Sequence, residues 1–513
     1  MLMTRSFGVA CLLAVGAVPA VHPQTPASLR AAATITTADV RRRIQIIADD
    51  SMGGRNTPSR GLTRTANYIA REFRRFGLRP GGDRGTYLLS YPIATKQLLA
   101  GRSTLHFGNG TAGVATTLAE AGALILGATD ASTRGPVVLV GGAVVSDSLK
   151  AAEIRDRIVV YVPGIGAQQP APGSPSPLQR LGRLGARAIV LVVNSDSVLA
   201  RYQRRQARPQ LVVGDGTRDT PVLALLERAI VSQAPEAAEQ FAQLRSAPFT
   251  IVQQTPDWEG EIALQDTTTA LRYAPNVVGI LQGSDSVLKH EYVVFSAHMD
   301  HVGTTGQPGA SCGAMGADSI CNGADDDASG TVGVIELAEA FSRPGVRPKR
   351  SLIFLTVSGE EEDLWGSSWF VSHPPVPLPQ IVADLNADMI GRNWKDTIVA
   401  IGKEHSDLGS TLNRVNTAHP ELHMHAIDDR WPEENFYTRS DHYNFAQRGV
   451  PILFFFNGVH ADYHRPSDSP DKIDAEKEAR VVRLLFYLGQ AVANAPQRPQ
   501  WVPESYQRIV VPE

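Results

Sequence analysis

From residue 276 onward the chain alternates short, continuously apolar runs with amphipathic segments, and that alternation narrows the folds open to it. The apolar runs are NVVGIL (276–281), EYVVFSA (291–297), SLIFLTV (351–357), IVADLNA (381–387), TIVAIG (397–402) and PILFFF (451–456). Helix candidates lie at 330–341, 364–371, 407–418 and 475–493. Strands apolar on both faces and separated by helices imply an α/β fold with a mainly parallel, helix-covered sheet. A sheet of that kind collects its ligands beyond the carboxyl ends of its strands.

The side chains expected at those ends are of metal-binding type. His298 follows VVFSA, Glu360 and Glu361 follow LIFLTVSG, Asp388 follows IVADLNA, and His464 lies shortly after PILFFF. An acidic turn, Asp325, Asp326 and Asp327, precedes the 330–341 helix. Taken singly, each has a plain structural reading. A strand-end histidine is commonly structural, paired glutamates are commonly solvated, and aspartates cap helix N-termini. Their coincidence at successive strand ends points instead to a metal centre.

Before residue 276 the texture differs. Helical periodicity runs through Val40, Ile44 and Ile47, with Thr36 or Thr37 as cap, and again through Ala66, Ile69, Phe73 and Phe76 up to Gly77. From 99 to 270 short apolar or alternating runs are punctuated by Gly and Pro, which reads as an inserted, mostly β module. It concentrates no histidines, cysteines or paired carboxylates, so no catalysis is assigned to it. The organisation expected is a signal peptide at 1–23, an N-terminal part of the catalytic domain at 30–98, the insertion at 99–270, the catalytic domain at 271–496 and a surface tail at 497–513.

The signal peptide rests on Arg5, the apolar run 7–18 and the small residues ending at Pro19-Ala20, a run too short to span a bilayer comfortably. It implies export, periplasmic or extracellular, without stable membrane insertion after cleavage. Two cysteines then remain, Cys312 and Cys321, and an oxidising compartment favours their pairing; thiolate metal binding is the alternative. Lys plus Arg total 49 against 52 Asp plus Glu, a net charge of -3 that offers no argument for nucleic acid or an anionic membrane.

The motifs HMD, GADDDASG, GEEEDLWGS, LNADMIG and DYH resemble those of the M28 family of zinc aminopeptidases and carboxypeptidases. ADDSMGGR through FGLRPGG resembles that family's N-terminal portion, and IRDRIVVYVPG with LGRLGARAIVLVVN resembles the protease-associated (PA) domain inserted in such enzymes. The resemblance implies two Zn²⁺ per chain, with Asp326 bridging both metals. His298 and Asp388 would complete one site, and Glu361 and His464 the other. Glu360 would be the general base, attack coming from a metal-bound hydroxide, and Tyr463 would face the oxyanion or simply pack beside His464. Asp300 would orient the His298 imidazole, Asp325 and Asp327 would cap or support, and Glu362 would be left exposed. Cobalt or manganese suits the same donors.

The activity implied is release of N-terminal residues from peptides, the PA-like module offering a surface to substrate or protein partners. A carboxypeptidase or dipeptidase could use the same site, with Arg392, Arg430, Arg439 and Arg465 as candidate carboxylate binders. Glutaminyl cyclase and a catalytically dead binding protein are further alternatives, the last requiring lost ligands that this chain retains. His301 and His460 lie beside the site in sequence, His423 and His425 read as incidental, and Ser440-Asp441-His442 reads as a supporting loop rather than a serine triad.

Overall fold

The computed structural model describes residues 25–511 apart from 110–115, 122–123, 126–131, 143–148, 166–175, 201–209, 215–219 and 308. The expected signal peptide therefore lies outside the described residues. Among those described, no helix is long and apolar enough to cross a membrane.

Among the described residues, two sheets organise the chain. The larger has ten strands and runs His425–Ile427, Thr397–Ile401, Ile452–Phe456, Ile381–Ala387, Tyr292–His298, Ser351–Val357, Asp266–Leu281, Leu88–Leu98 and Gln210–Val213, with Arg79–Pro80 pairing to Asp266–Leu281. Every apolar run singled out in the sequence after residue 275 contributes a strand to it.

The parallel arrangement holds at the centre and again at one edge, where Thr397–Ile401 runs parallel to His425–Ile427 but antiparallel to Ile452–Phe456. Ile452–Phe456, Ile381–Ala387, Tyr292–His298 and Ser351–Val357 are mutually parallel. Asp266–Leu281 runs antiparallel to Ser351–Val357, and Leu88–Leu98 antiparallel to Asp266–Leu281, so the sheet is mixed. The reason is topological. Those two long strands carry the chain out to the smaller sheet and back, and the outgoing and returning strands pair side by side.

The smaller sheet has eight strands, in the order Thr116–Thr117, Thr104–Asn109, Ile251–Ala263, Ser132–Gly142, Ile158–Pro163, Ala188–Val193, Val222–Leu226 and Leu124–Ile125. Its own core includes Leu139, Val160, Val190 and Phe241. One strand from this stretch, Gln210–Val213, leaves it to pair with Leu88–Leu98 at the edge of the larger sheet, Val213 opposite Ile93.

Helices cover both faces of the larger sheet. Thr36 and Ser59 cap Thr37–Ile47 and Arg60–Arg75 by accepting the backbone N–H of Asp39 and Leu62 at 3.0 Å, and Asp474 caps Ala475–Asn494 through Lys477 N–H. Under Gly330–Phe341 and Ala475–Asn494, Phe295 stacks on Phe354 (5.7 Å) and Phe341 meets Phe486 at 4.5 Å. Truncating one such ring would cost about 3–5 kcal/mol. That packing fixes the strands whose ends carry the site.

The C-terminal segment is not a free surface extension. Trp501 bridges to Ser406 and donates its indole N–H to Gly449 O, and the Pro503–Ile509 helix buries Ser505 and Ile509. Apolar side chains hidden in the primary sequence among prolines and charges anchor it.

Candidate metal centre

The central parallel strands end together, and their ends bring the sequence-chosen side chains into one cleft. His298 is the last residue of Tyr292–His298, Glu360 and Glu361 follow Ser351–Val357, and Asp388 follows Ile381–Ala387. Two groups of potential ligands form, His298 with Asp326 and Asp388, and His301 with Asp326, Glu361 and His464. Asp326 belongs to both. Its Oδ1 lies 3.3 Å from His298 Nε2, and its Oδ2 lies 3.1 Å from His464 Nε2. His298 Nε2 is 3.5 Å from Asp388 Oδ1, and His464 Nε2 is 3.1 Å from Glu361 Oε2.

These donors fit a pair of cations. Asp326 Oδ2, Asp388 Oδ1 and His464 Nε2 are buried, yet among the described residues no hydrogen bond of sound geometry reaches them. Buried carboxylates without partners are costly unless a cation compensates them. Imidazole nitrogens and carboxylate oxygens, without thiolate, are a zinc donor set that leaves positions open to water.

The acidic turn is a scaffold as well as a ligand source. Asp327 accepts the backbone N–H groups of Gly330 (2.7 Å) and Met389 (3.1 Å) on one oxygen and of His298 (3.2 Å) on the other, joining three site segments. Asp325 accepts Gly391 N–H at 2.7 Å and faces His460 Nε2 at 3.3 Å. Asp468 accepts the N–H groups of Asp325 and Asp326. Ser440 donates to Asp388 Oδ2 at 3.0 Å, while His442 bonds Tyr437 O, so this triplet supports the site and is no triad.

Glu360 lines a cleft with His298, Asp326, Asp388 and Tyr463. Burial, reinforced by Glu361, Asp441 and Asp388, holds its carboxyl well above the usual range despite the opposing pull of His298. Tyr463 stacks on His464, ring centroids 3.8 Å apart, and its hydroxyl is likewise pushed up by burial and by Asp326. The cleft's remaining wall is mostly apolar, with Met389, Phe436, Phe454, Phe456 and Val459, and carries Arg439 and Ser440. His423 and His425 are not among its lining residues.

Three features depart from the sequence reading. His301 stands inside the second ligand group, Nδ1 2.8 Å from Glu361 Oε1, where sequence placed it only nearby. Asp300 faces the His298 imidazole at 3.7 Å, longer than a hydrogen bond, while it accepts Gly359 N–H at 2.7 Å and Thr57 Oγ1 at 2.9 Å. Glu362 is half-buried rather than exposed, because Asp363 and Leu364 turn the chain with φ of 73° and 62°. Burial beside Asp300 and Glu361 raises its carboxyl to about 7. The spacing His298-x-Asp300-His301 was the available signal for His301.

Cys312 and Cys321 form a disulfide, which closes the loop between His301 and Asp325.

Residues 276–489 match the family described as Peptidase family M28. A probable leucine aminopeptidase of Trichophyton verrucosum is 24% identical over 297 residues, covering 55% of this chain and 79% of that protein. A probable zinc metalloprotease of Pyricularia oryzae is 27% identical over 266 residues, covering 43% of this chain and 50% of that protein. Among solved structures, BSAP, a zinc aminopeptidase from Bacillus subtilis, is 17% identical with a TM-score of 0.46, covering 90% of this chain and 96% of that one.

Proposed function

Residues 276–489 belong to peptidase family M28, and from that premise we propose that this metallopeptidase is an exported di-zinc aminopeptidase, releasing N-terminal residues from peptides. Asp326 carries the reading, since one carboxylate offers an oxygen to each of two ligand groups beside a free glutamate. His298 and Asp388 would hold one zinc with it, and Glu361 and His464 the other. His301 steadies Glu361. Export is supported by the charged-then-apolar N-terminal sequence and by the disulfide. The 99–270 segment serves as a PA-like module through which substrate or protein partners are met.

Zinc held by these residues would supply Lewis-acid polarisation of the scissile carbonyl and a lowered pKa for water. Glu360 takes the proton of the attacking water and passes it to the leaving amine; a carboxyl whose proton affinity burial has raised suits that shuttle. Tyr463 donates its hydroxyl to the oxygen on which charge develops. Asp327 and Asp300 hold the strand-end segments so that Glu360 and the ligands keep their spacing.

The test uses one peptide with both ends free, an N-acetylated copy and a C-amidated copy, with Glu360→Gln as control. Loss of cleavage on N-acetylation alone, and an inactive control, fit an aminopeptidase. Loss on C-amidation alone would make the enzyme a carboxypeptidase.

A further inference from the structure

The proposed mechanism leaves unused the Asp50–Arg55 turn, yet this turn is wedged between the two backbone segments that carry His298 and Asp326. Gly54 has φ of 64°, and a Cβ there would sit 2.4 Å from Gly303 O and 2.6 Å from Cys321 O. No other residue fits between those carbonyls. The contact is also hydrogen-bonded, Gly303 N–H donating to Gly54 O at 3.0 Å and Cys321 N–H to Gly303 O at 3.1 Å.

Arg55 completes the join. It is fully buried, and its guanidinium spreads over four carbonyls. Nε donates to Met299 O (2.8 Å), Nη1 to Ile47 O (3.1 Å) and Asn322 O, and Nη2 to Gly323 O (2.9 Å). Met299 lies between His298 and Asp300, and Gly323 lies three residues before Asp326. Among the described residues no carboxylate pairs with it directly. Its charge is balanced at longer range by Asp300, Asp326, Asp327 and Asp468, against the cost of burial. Burying a guanidinium without a direct counter-ion is unfavourable, and apolar side chains would fill the space more cheaply. What the guanidinium supplies that they cannot is a rigid planar set of donors that fixes several carbonyls relative to one another.

We propose that Arg55 is a positioning residue for the metal centre, tying the Met299 and Asn322–Gly323 backbones together and so setting the spacing of His298 and Asp326, with Gly54 as the close contact that admits it. This rests on the reading of those two residues as zinc ligands.

Arg55→Lys keeps the charge and loses the planar fork, so it separates geometry from electrostatics. Arg350 provides a matched control. It is fully buried too, but it sits at the opposite end of the Ser351–Val357 strand, bonded to Glu291, Val492 O and Ala495 O. Zinc affinity would be measured on the full chain by chelator competition, alongside thermal unfolding of the zinc-free protein and kcat and KM at saturating zinc. Arg55→Lys is expected to weaken zinc binding about tenfold or more and to lower kcat while KM stays within about threefold. Arg350→Lys is expected to lower stability and leave zinc affinity unchanged.

Equal zinc affinity in Arg55→Lys and the wild type, or equal losses in the two variants, would overturn the inference. If Arg55→Lys unfolds without zinc but recovers at zinc levels about tenfold above the wild-type requirement, the inference stands; unfolding that zinc does not relieve would assign Arg55 a general structural role. A wild-type chain that takes up no zinc would instead sink the reading of the site itself.

Discussion

Asp384 is buried on the strand that ends at the site, four residues before Asp388. Ser296 Oγ donates to its Oδ1 at 2.7 Å, and Oδ2 has no partner among the described residues. Burial pushes its carboxyl up to about 8, Ser296 opposing and Asp441 adding to the rise. A carboxyl with a raised folded pKa binds its proton more tightly when folded. Its contribution to stability is therefore fully present below the unfolded pKa of about 4 and is lost as pH rises through about 8. At pH 7 the loss amounts to roughly three pH units at about 1.4 kcal/mol each, or about 4 kcal/mol. Asp384→Asn keeps the acceptor for Ser296 and removes the titration. The variant should match the wild type near pH 4, exceed it by up to about 4 kcal/mol at pH 7 and level off above pH 8. Guanidinium unfolding of the zinc-free protein reads this through tryptophan fluorescence, since Trp365, Trp369, Trp394, Trp431 and Trp501 all report on the larger-sheet unit. A stability difference that does not change between pH 5 and 8, or a variant weaker at pH 7, would refute the reasoning.

Four other substitutions follow from the same geometry. Glu360→Gln should retain zinc while kcat falls about 10²–10⁴-fold, read by metal analysis alongside steady-state kinetics. Tyr463→Phe should lower kcat about 100-fold with little change in KM, whereas a packing role for the ring alone would leave kcat intact. Ser440→Ala removes the hydrogen bond to Asp388 Oδ2 and should weaken zinc binding about tenfold in chelator competition. Gly489→Ala would put a Cβ 2.3 Å from Phe295 Cζ inside a stacked aromatic core, so denaturant unfolding should show a loss of about 1–3 kcal/mol.

The central strands were legible because burial on both faces makes them continuously apolar, and their ends were legible because His298, Glu361 and Asp388 are ligand types placed where such runs stop. The residues that brace those ends were legible only in part, Asp300, Asp325 and Asp327 being readable as support while the segments they hold were not. Asp300, Thr57 and Arg55 act through contacts between segments some 240 positions apart, which no local pattern records. The mixed pairing of Leu88–Leu98 with Asp266–Leu281 depends on where the chain returns from the smaller sheet, and the docking of Trp501 on Gly449 depends on a surface that exists only after folding. Glu362 shows the same limit. Its position next to two site glutamates was readable, but the turn at Asp363 and Leu364 that half-buries it was not.

The most direct test of a shared carboxylate is zinc stoichiometry by titration and elemental analysis of the wild type, His464→Ala and Asp326→Ala. Two equivalents per wild-type chain, one tight equivalent in His464→Ala and none in Asp326→Ala are the predicted values. A wild type that saturates at one equivalent, or an Asp326→Ala chain that still holds two, would contradict the account.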